Sequence, residues 1–177
     1  MKLKLSTLFM MVLLVTACSS GGITRGGTLK HADRTRTDNR YAGYGYVSKN
    51  ILCQFGTPAE MGSSRSEKFL CFIRDDRATS SVLDYWYTWC IVEQAGGQAT
   101  IKPYYGRYYK DYKNNSGDDG YVELKDNLVL KCEIYDGGNL IKIAGTLSSE
   151  DNSWSKNIDE LLVCIKYEPE NAKPSTP

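Results

Sequence analysis

One histidine stands among the 177 residues, at position 31, and that scarcity removes the chemistry that needs an imidazole on a rigid scaffold. A Ser-His-Asp or Cys-His nucleophile and a histidine-ligated zinc site are excluded, because His31 falls in a stretch too polar to fold by itself. None of the six cysteines has CxxC spacing, which excludes the usual redox and zinc-ribbon signatures. A Walker loop and the glycine fingerprint of dinucleotide binding are missing too. Net charge is nearly absent, at +1, so no overall field points to nucleic acid. Asn114-Asn115-Ser116-Gly117-Asp118-Asp119-Gly120 has the composition of a calcium loop but lacks its ordered spacing and closing glutamate. Asp75-Asp76 reads as a charged, solvent-facing turn rather than a catalytic pair. These absences point to a protein that is not an enzyme and that holds no metal or cofactor.

What is present begins with a secretory signal. Lys2 and Lys4 give a positive start, Leu5 to Val15 form an apolar stretch too short to cross a bilayer as a helix, and Ala17 supplies a small residue at its end. Val15-Thr16-Ala17-Cys18 resembles the lipobox of bacterial lipoproteins, with valine where leucine is commoner. That resemblance implies removal of residues 1–17, acylation of Cys18 with palmitate-type chains, and a place in the cell envelope, held on a membrane by lipid. Ser19, in a position where aspartate accompanies inner-membrane retention, implies the outer membrane if the cell is Gram-negative.

Residues 18–40 are rich in Gly, Ser, Thr and charge and poor in large apolar side chains. They read as a lipidated cysteine followed by a flexible basic tether, whose reach as a coil is roughly 25 Å. A single domain is expected over 41–167, with a fraying tail at 168–177. Beyond Cys18, the cysteines Cys53, Cys71, Cys90, Cys132 and Cys164 are an odd set in an oxidising compartment, so at most two intramolecular disulfides are expected, with no pairing favoured.

Val47, Ile51, Leu52 and Phe55 have helical spacing, with Ser48 placed as N-cap and Gly56 and Pro58 as stop signals. Thr57-Pro58-Ala59-Glu60 offers a capping box for a second short helix. From Lys68 onward the pattern is strand-like: Lys68 to Ile73 and Val82 to Val92 are dense in aromatic and β-branched residues, and the nearly all-apolar run from Asp84 to Val92 suits a central strand buried on both faces or an aromatic surface patch. Asp126-Asn127 and Gly137-Gly138 divide Tyr121 to Leu147 into an antiparallel meander. A turn at Gly137-Gly138 sets Ile134 against Ile141, Cys132 against Ile143 and Glu133 against Lys142, which makes one face apolar and points Cys132 inward. Leu161 to Tyr167 reads as a last strand by its β-rich composition. The expected fold is therefore α+β: one or two short N-terminal helices, then a mostly antiparallel sheet, braced by up to two disulfides. The helix, the Phe55-Gly56-Thr57-Pro58 turn and the later strands resemble, in outline, small outer-membrane assembly lipoproteins of the BamE type.

One segment reads either as a contact surface or as a strand or hairpin whose tyrosines cover the core edge. Pro103 to Tyr112, PYYGRYYKDY, interleaves tyrosines with Arg107 and Lys110, and tyrosine and arginine are the residues enriched in binding surfaces. Tyr104, Tyr105, Arg107, Tyr108 and Tyr109 are the candidate partner-binding residues. The reading is a membrane-anchored envelope lipoprotein that acts as a non-catalytic binding or assembly module for an envelope protein or polymer. A defensive binder, such as a lysozyme inhibitor or a toxin-immunity lipoprotein, is the alternative.

Overall fold

The computed structural model describes residues 22–34, 41–75, 84–110 and 120–167, and among them it holds strands and turns but no α-helix. The strands are β1 (Ala32–Arg34), β2 (Tyr41–Val47), β3 (Ile51–Gly56), β4 (Leu70–Asp75), β5 (Tyr85–Ala95), β6 (Gln98–Tyr109), β7 (Tyr121–Glu123), β8 (Leu130–Tyr135), β9 (Leu140–Ser148) and β10 (Ser155–Tyr167). Strands β2 to β6 pair in sequence order, β6 passes the ladder to β8, and β8, β9 and β10 continue it. Then β10 pairs with β2 and β2 with β3, so the sheet closes on itself as an eight-stranded antiparallel barrel of up-and-down topology. Two short strands ride on it: β1 beside the start of β2, and β7 beside the end of β6.

The expected α+β architecture is thus replaced by an all-β one, and the helix on which the likeness to BamE-type lipoproteins rested is absent. The residues read as that helix form the β2–β3 turn and β3. Ser48 does cap, its Oγ accepting the N–H groups of Asn50 and Ile51 at 3.1 Å each, but the turn it caps opens a hairpin in which Ser48 N–H donates to Ile51 O. Ile51, Cys53 and Phe55 point into the barrel, while Leu52 and Gln54, on the outer side, are covered as well at 5 % and 1 % exposure. A strand buried on both faces needs no alternation, so its apolar run satisfies a helical period by accident. At Thr57 the capping-box bonds do form, Thr57 N–H to Glu60 Oε2 at 2.6 Å and Glu60 N–H to Thr57 Oγ1 at 3.4 Å, yet they close only a turn and no helix follows. That turn drops Met61 onto Leu70 and Phe72, a small apolar cluster outside the barrel wall.

The barrel interior is filled. Tyr46, Ile51, Phe55, Ile73, Ile101, Leu130, Ile134, Ile141, Ile143 and Leu147 are all fully buried in one cluster, as expected of eight strands, whose lumen is only wide enough for side chains. Lys102, Lys131, Glu133, Lys142, Asn157 and Asp159 lie on the outer wall. An apolar, filled lumen is the reverse of the polar lumen of a membrane-spanning barrel.

In the β8–β9 hairpin Cys132 faces Ile143, Glu133 faces Lys142 and Ile134 faces Ile141, the register that the turn pair implied. The tight turn is centred one residue earlier, on Asp136 and Gly137 with φ of 50° and 64°, and Gly138 N–H donates to Tyr135 O at 2.9 Å.

All five downstream cysteines are thiols in the structure, so no disulfide braces it. Cys53, Cys71, Cys90 and Cys132 are small apolar fillers of the barrel interior. Cys53 Sγ lies 3.2 Å from Cys71 Sγ, but the two sit diagonally, Cys53 facing Ile73 and Cys71 facing Phe55. Burial pushes the thiols of Cys53, Cys71 and Cys132 up, which depletes the reactive thiolate. Native protein is therefore expected to react with a thiol reagent only slowly and chiefly at half-buried Cys164. Protein denatured without reductant should react at all five, and fewer reactive thiols would show that bridges form during export.

Candidate functional site

With the interior occupied, sites for a partner lie on the outer wall. One groove there, about 510 Å³, runs over Thr100, Lys131, Glu133, Lys142 and Ala144. Three of its four charged side chains are paired: Glu93 with Lys102 at 2.9 Å, Lys142 with Asp159 at 3.0 Å and Glu133 with Arg25 at 2.6 Å. Exposed pairs of this kind contribute little to stability, and they offset most of the charge a ligand would meet there.

The other feature is an aromatic face on β5, β6 and β7. Alternation turns Trp86, Thr88, Cys90 and Val92 inward, so Tyr85, Tyr87 and Trp89 line the outer side. On β6 the register slips by one beside Cys90: Trp89 faces Tyr105 while Cys90 faces Pro103, and Tyr104 is the extra residue. The bulge puts both Tyr104 and Tyr105 outside. Beyond it Gly106 points inward, where a Cβ would stand 2.6 Å from Tyr87 O, so only glycine fits. Arg107 and Tyr109 face outward, and Tyr121 on β7 pairs with Tyr109.

The rings touch one another across three strands. Tyr87 lies 6.1 Å from Tyr105 and 6.3 Å from Tyr109, Tyr85 lies 6.1 Å from Tyr109, and Tyr109 lies 5.7 Å from Tyr121. The Arg107 guanidinium sits 3.9 Å over the Tyr121 ring and 5.5 Å from the Tyr105 centroid, within cation–π range of both. A hydrogen bond with the Tyr109 hydroxyl raises the Arg107 pKa further, so this cation is permanent. Burial, then the hydroxyl of Tyr105, raises the Tyr87 phenol, which stays protonated and donates to Tyr105 Oη at 3.5 Å. Rings held by their neighbours lose little freedom on contact, which lowers the entropic cost of association.

Of the sequence candidates, Tyr105, Arg107 and Tyr109 come together in this face, and Tyr105 is the most open at 38 % exposure. Tyr104 sits beside it, its ring under the Arg65 guanidinium at 3.9 Å, and packs on the Met61 cluster. Tyr108 does not belong: it turns toward the barrel core and stacks on Trp154 at 4.7 Å and 15°. Sequence reasoning missed Tyr121, and it offered Tyr85 and Tyr87 only as part of a separate aromatic patch over 84–92, without joining them to Tyr105. The alternation in Asp84-Tyr85-Trp86-Tyr87 held the signal, but the register that lays it beside Tyr105 did not follow from the sequence.

Cys18 lies outside the described residues, as do Asn114 to Asp119 and Asp76. His31 meets Glu60 at 3.0 Å and the Phe69 ring at 4.8 Å. Among the described residues no group of three or more His, Cys, Asp or Glu side chains is arranged to hold a metal ion. Residues 22–34, read as part of a free tether, lie instead against the barrel, with Leu29 and Ala32 buried at 3 % and 1 % exposure. Compared with protein-family models, with curated proteins and with solved structures, the chain matches none.

Proposed function

We propose that this protein is a non-catalytic binding module of the bacterial envelope, anchored through an acylated Cys18, and that it captures an envelope protein through the outer face of Tyr87, Tyr105, Arg107, Tyr109 and Tyr121. The observation that carries the reading is that contiguous aromatic and guanidinium face on a barrel whose lumen is full. Tyrosine and arginine are the side chains that dominate hot spots, because each combines a broad apolar surface with a directional polar end. The packed interior and the ion pairs of Glu93, Glu133 and Lys142 in the groove favour this outer face among the described residues.

The test is capture in intact cells by crosslinking, with wild type compared against a Tyr105→Ala/Tyr109→Ala double variant. Loss of two hot-spot rings is expected to weaken capture at least about tenfold, near 1.4 kcal/mol. The double variant should melt within a few degrees of wild type, since neither ring enters the barrel interior. A double variant that folds and captures the full set of crosslinked partners removes this face as the site.

A further inference from the structure

The segment between the proposed anchor and the barrel is not a loose leash. Thr24 O accepts from Asp136 N–H at 2.8 Å, Gly26 N–H donates to Ile134 O at 2.8 Å, and Gly137 N–H donates to Gly26 O at 3.1 Å. Arg25 and Gly27 form β-bridges with Tyr135 and Gly137. Leu29 then enters the main core, and Tyr46 Oη accepts from Lys30 N–H at 2.9 Å. The contact is close because both backbones carry glycine: a Cβ on Gly138 would stand 2.1 Å from Thr28 O, and one on Gly27 would stand 2.4 Å from the Gly137 carbonyl carbon. Residues 24–32 are thus a strap across one mouth of the barrel, the mouth bounded by the turns after Ala95 and Tyr135.

Docking shortens the leash. A free tether over residues 19–40 would allow roughly 25 Å of r.m.s. reach. With the strap seated, the chain from Cys18 to Thr24 spans at most about 20 Å even fully extended, and as a coil it reaches only about 12 Å. The first described residues meet the strap end with an exposed apolar side chain, Ile23 at 61 %. The cations of the strap are engaged on the barrel itself, Arg25 with Glu133 and Lys30 with Asn139 and the Tyr44 ring. Nearness to lipid therefore comes from the tether rather than from charge.

We propose that the strap fixes which end of the barrel faces the bilayer: the turns 95–98 and 135–140 stand at the lipid surface, and the tyrosine face is held away from it. This rests on the anchor reading above. The β5–β6 turn is at the lipid end, and Tyr105 to Tyr109 follow roughly 23 to 36 Å farther along β6 from Gln98. The barrel is then a pedestal that presents the face to partners beyond the lipid headgroups.

The experiment uses acylated protein in lipid nanodiscs that carry a headgroup nitroxide, and reads the loss of backbone amide signals. Gly96, Gly97 and Gly137 at the strap end should lose several times more intensity than Ser48, Asn50 and Asn152 at the other end, in neutral and anionic lipid alike. Insertion of about fifteen Gly/Ser residues after Gly21 restores a long coil and should abolish the difference. Equal losses at both ends in an acylated protein overturn the orientation and leave the anchor standing. Protein that carries no acyl group at Cys18 and does not float with membranes overturns the anchor and the orientation together.

Discussion

Tyr46→Ala is expected to cost about 4 kcal/mol of unfolding free energy, in the range for large aromatic-to-alanine changes in a packed core. Tyr46→Phe should cost about 1 to 3 kcal/mol through hydrogen bonds alone. The ring is fully buried and meets Phe55 edge-on at 5.6 Å, so its removal leaves a hole between β2 and β3 where the barrel closes. The hydroxyl is the clamp of the strap: it donates to Gly138 O at 2.8 Å and accepts from Lys30 N–H at 2.9 Å. Burial raises its pKa, which keeps it a donor through the physiological range. The phenylalanine variant therefore isolates the strap. Its amide exchange should quicken at Gly26 and Gly137, which bond across the strap, while Ile134 N–H, bonded to Gly97 O in the β5–β6 turn and not to the strap, stays protected. Urea unfolding of the two variants supplies the free energies. A phenylalanine variant with wild-type stability and unchanged strap exchange would show that the hydroxyl clamps nothing.

How much of this was legible in the sequence depends on where the determining contacts lie. The β8–β9 hairpin was readable because its partner residues sit within a few positions of a turn pair, and a wrong register would place Glu133 in the core. The first barrel strands were not, because Leu52 and Gln54 on the outer side of β3 are buried as Ile51, Cys53 and Phe55 are on the inner side, and that removes the alternation from which a strand is recognised. The strap was misread for a different reason. Its composition is that of a linker, yet it is held by backbone hydrogen bonds and by glycine against glycine, interactions that hydrophobic patterning does not register. Half of the candidate site followed from the density of tyrosine in one segment, and the other half came from β5 and β7, whose registers depend on a bulge. Without the slip beside Cys90, strict alternation would have turned Tyr105 inward; with it, Tyr105 and Tyr104 share the outer wall.

That slip also sets the second large effect. Tyr108→Ala is expected to destabilise by about 2 to 3 kcal/mol, whereas Tyr105→Ala should stay within about 0.5 kcal/mol of wild type. The two tyrosines stand three positions apart in one strand and are alike in chemistry, but the inward one stacks on Trp154 at 4.7 Å, and Trp154 in turn lies 6.2 Å from Trp86 at the end of the barrel interior. Removing it strips an aromatic pair as well as buried area. Tyr105 meets its neighbours only at the surface and is the most open member of the face. Its loss should therefore appear in partner capture and not in melting, and the Tyr108 loss in melting first. Thermal unfolding of both single variants at matched concentration decides the assignment: equal destabilisation would mean that the bulge does not sort these side chains, and the outer tyrosine face would lose the geometry on which the binding proposal depends.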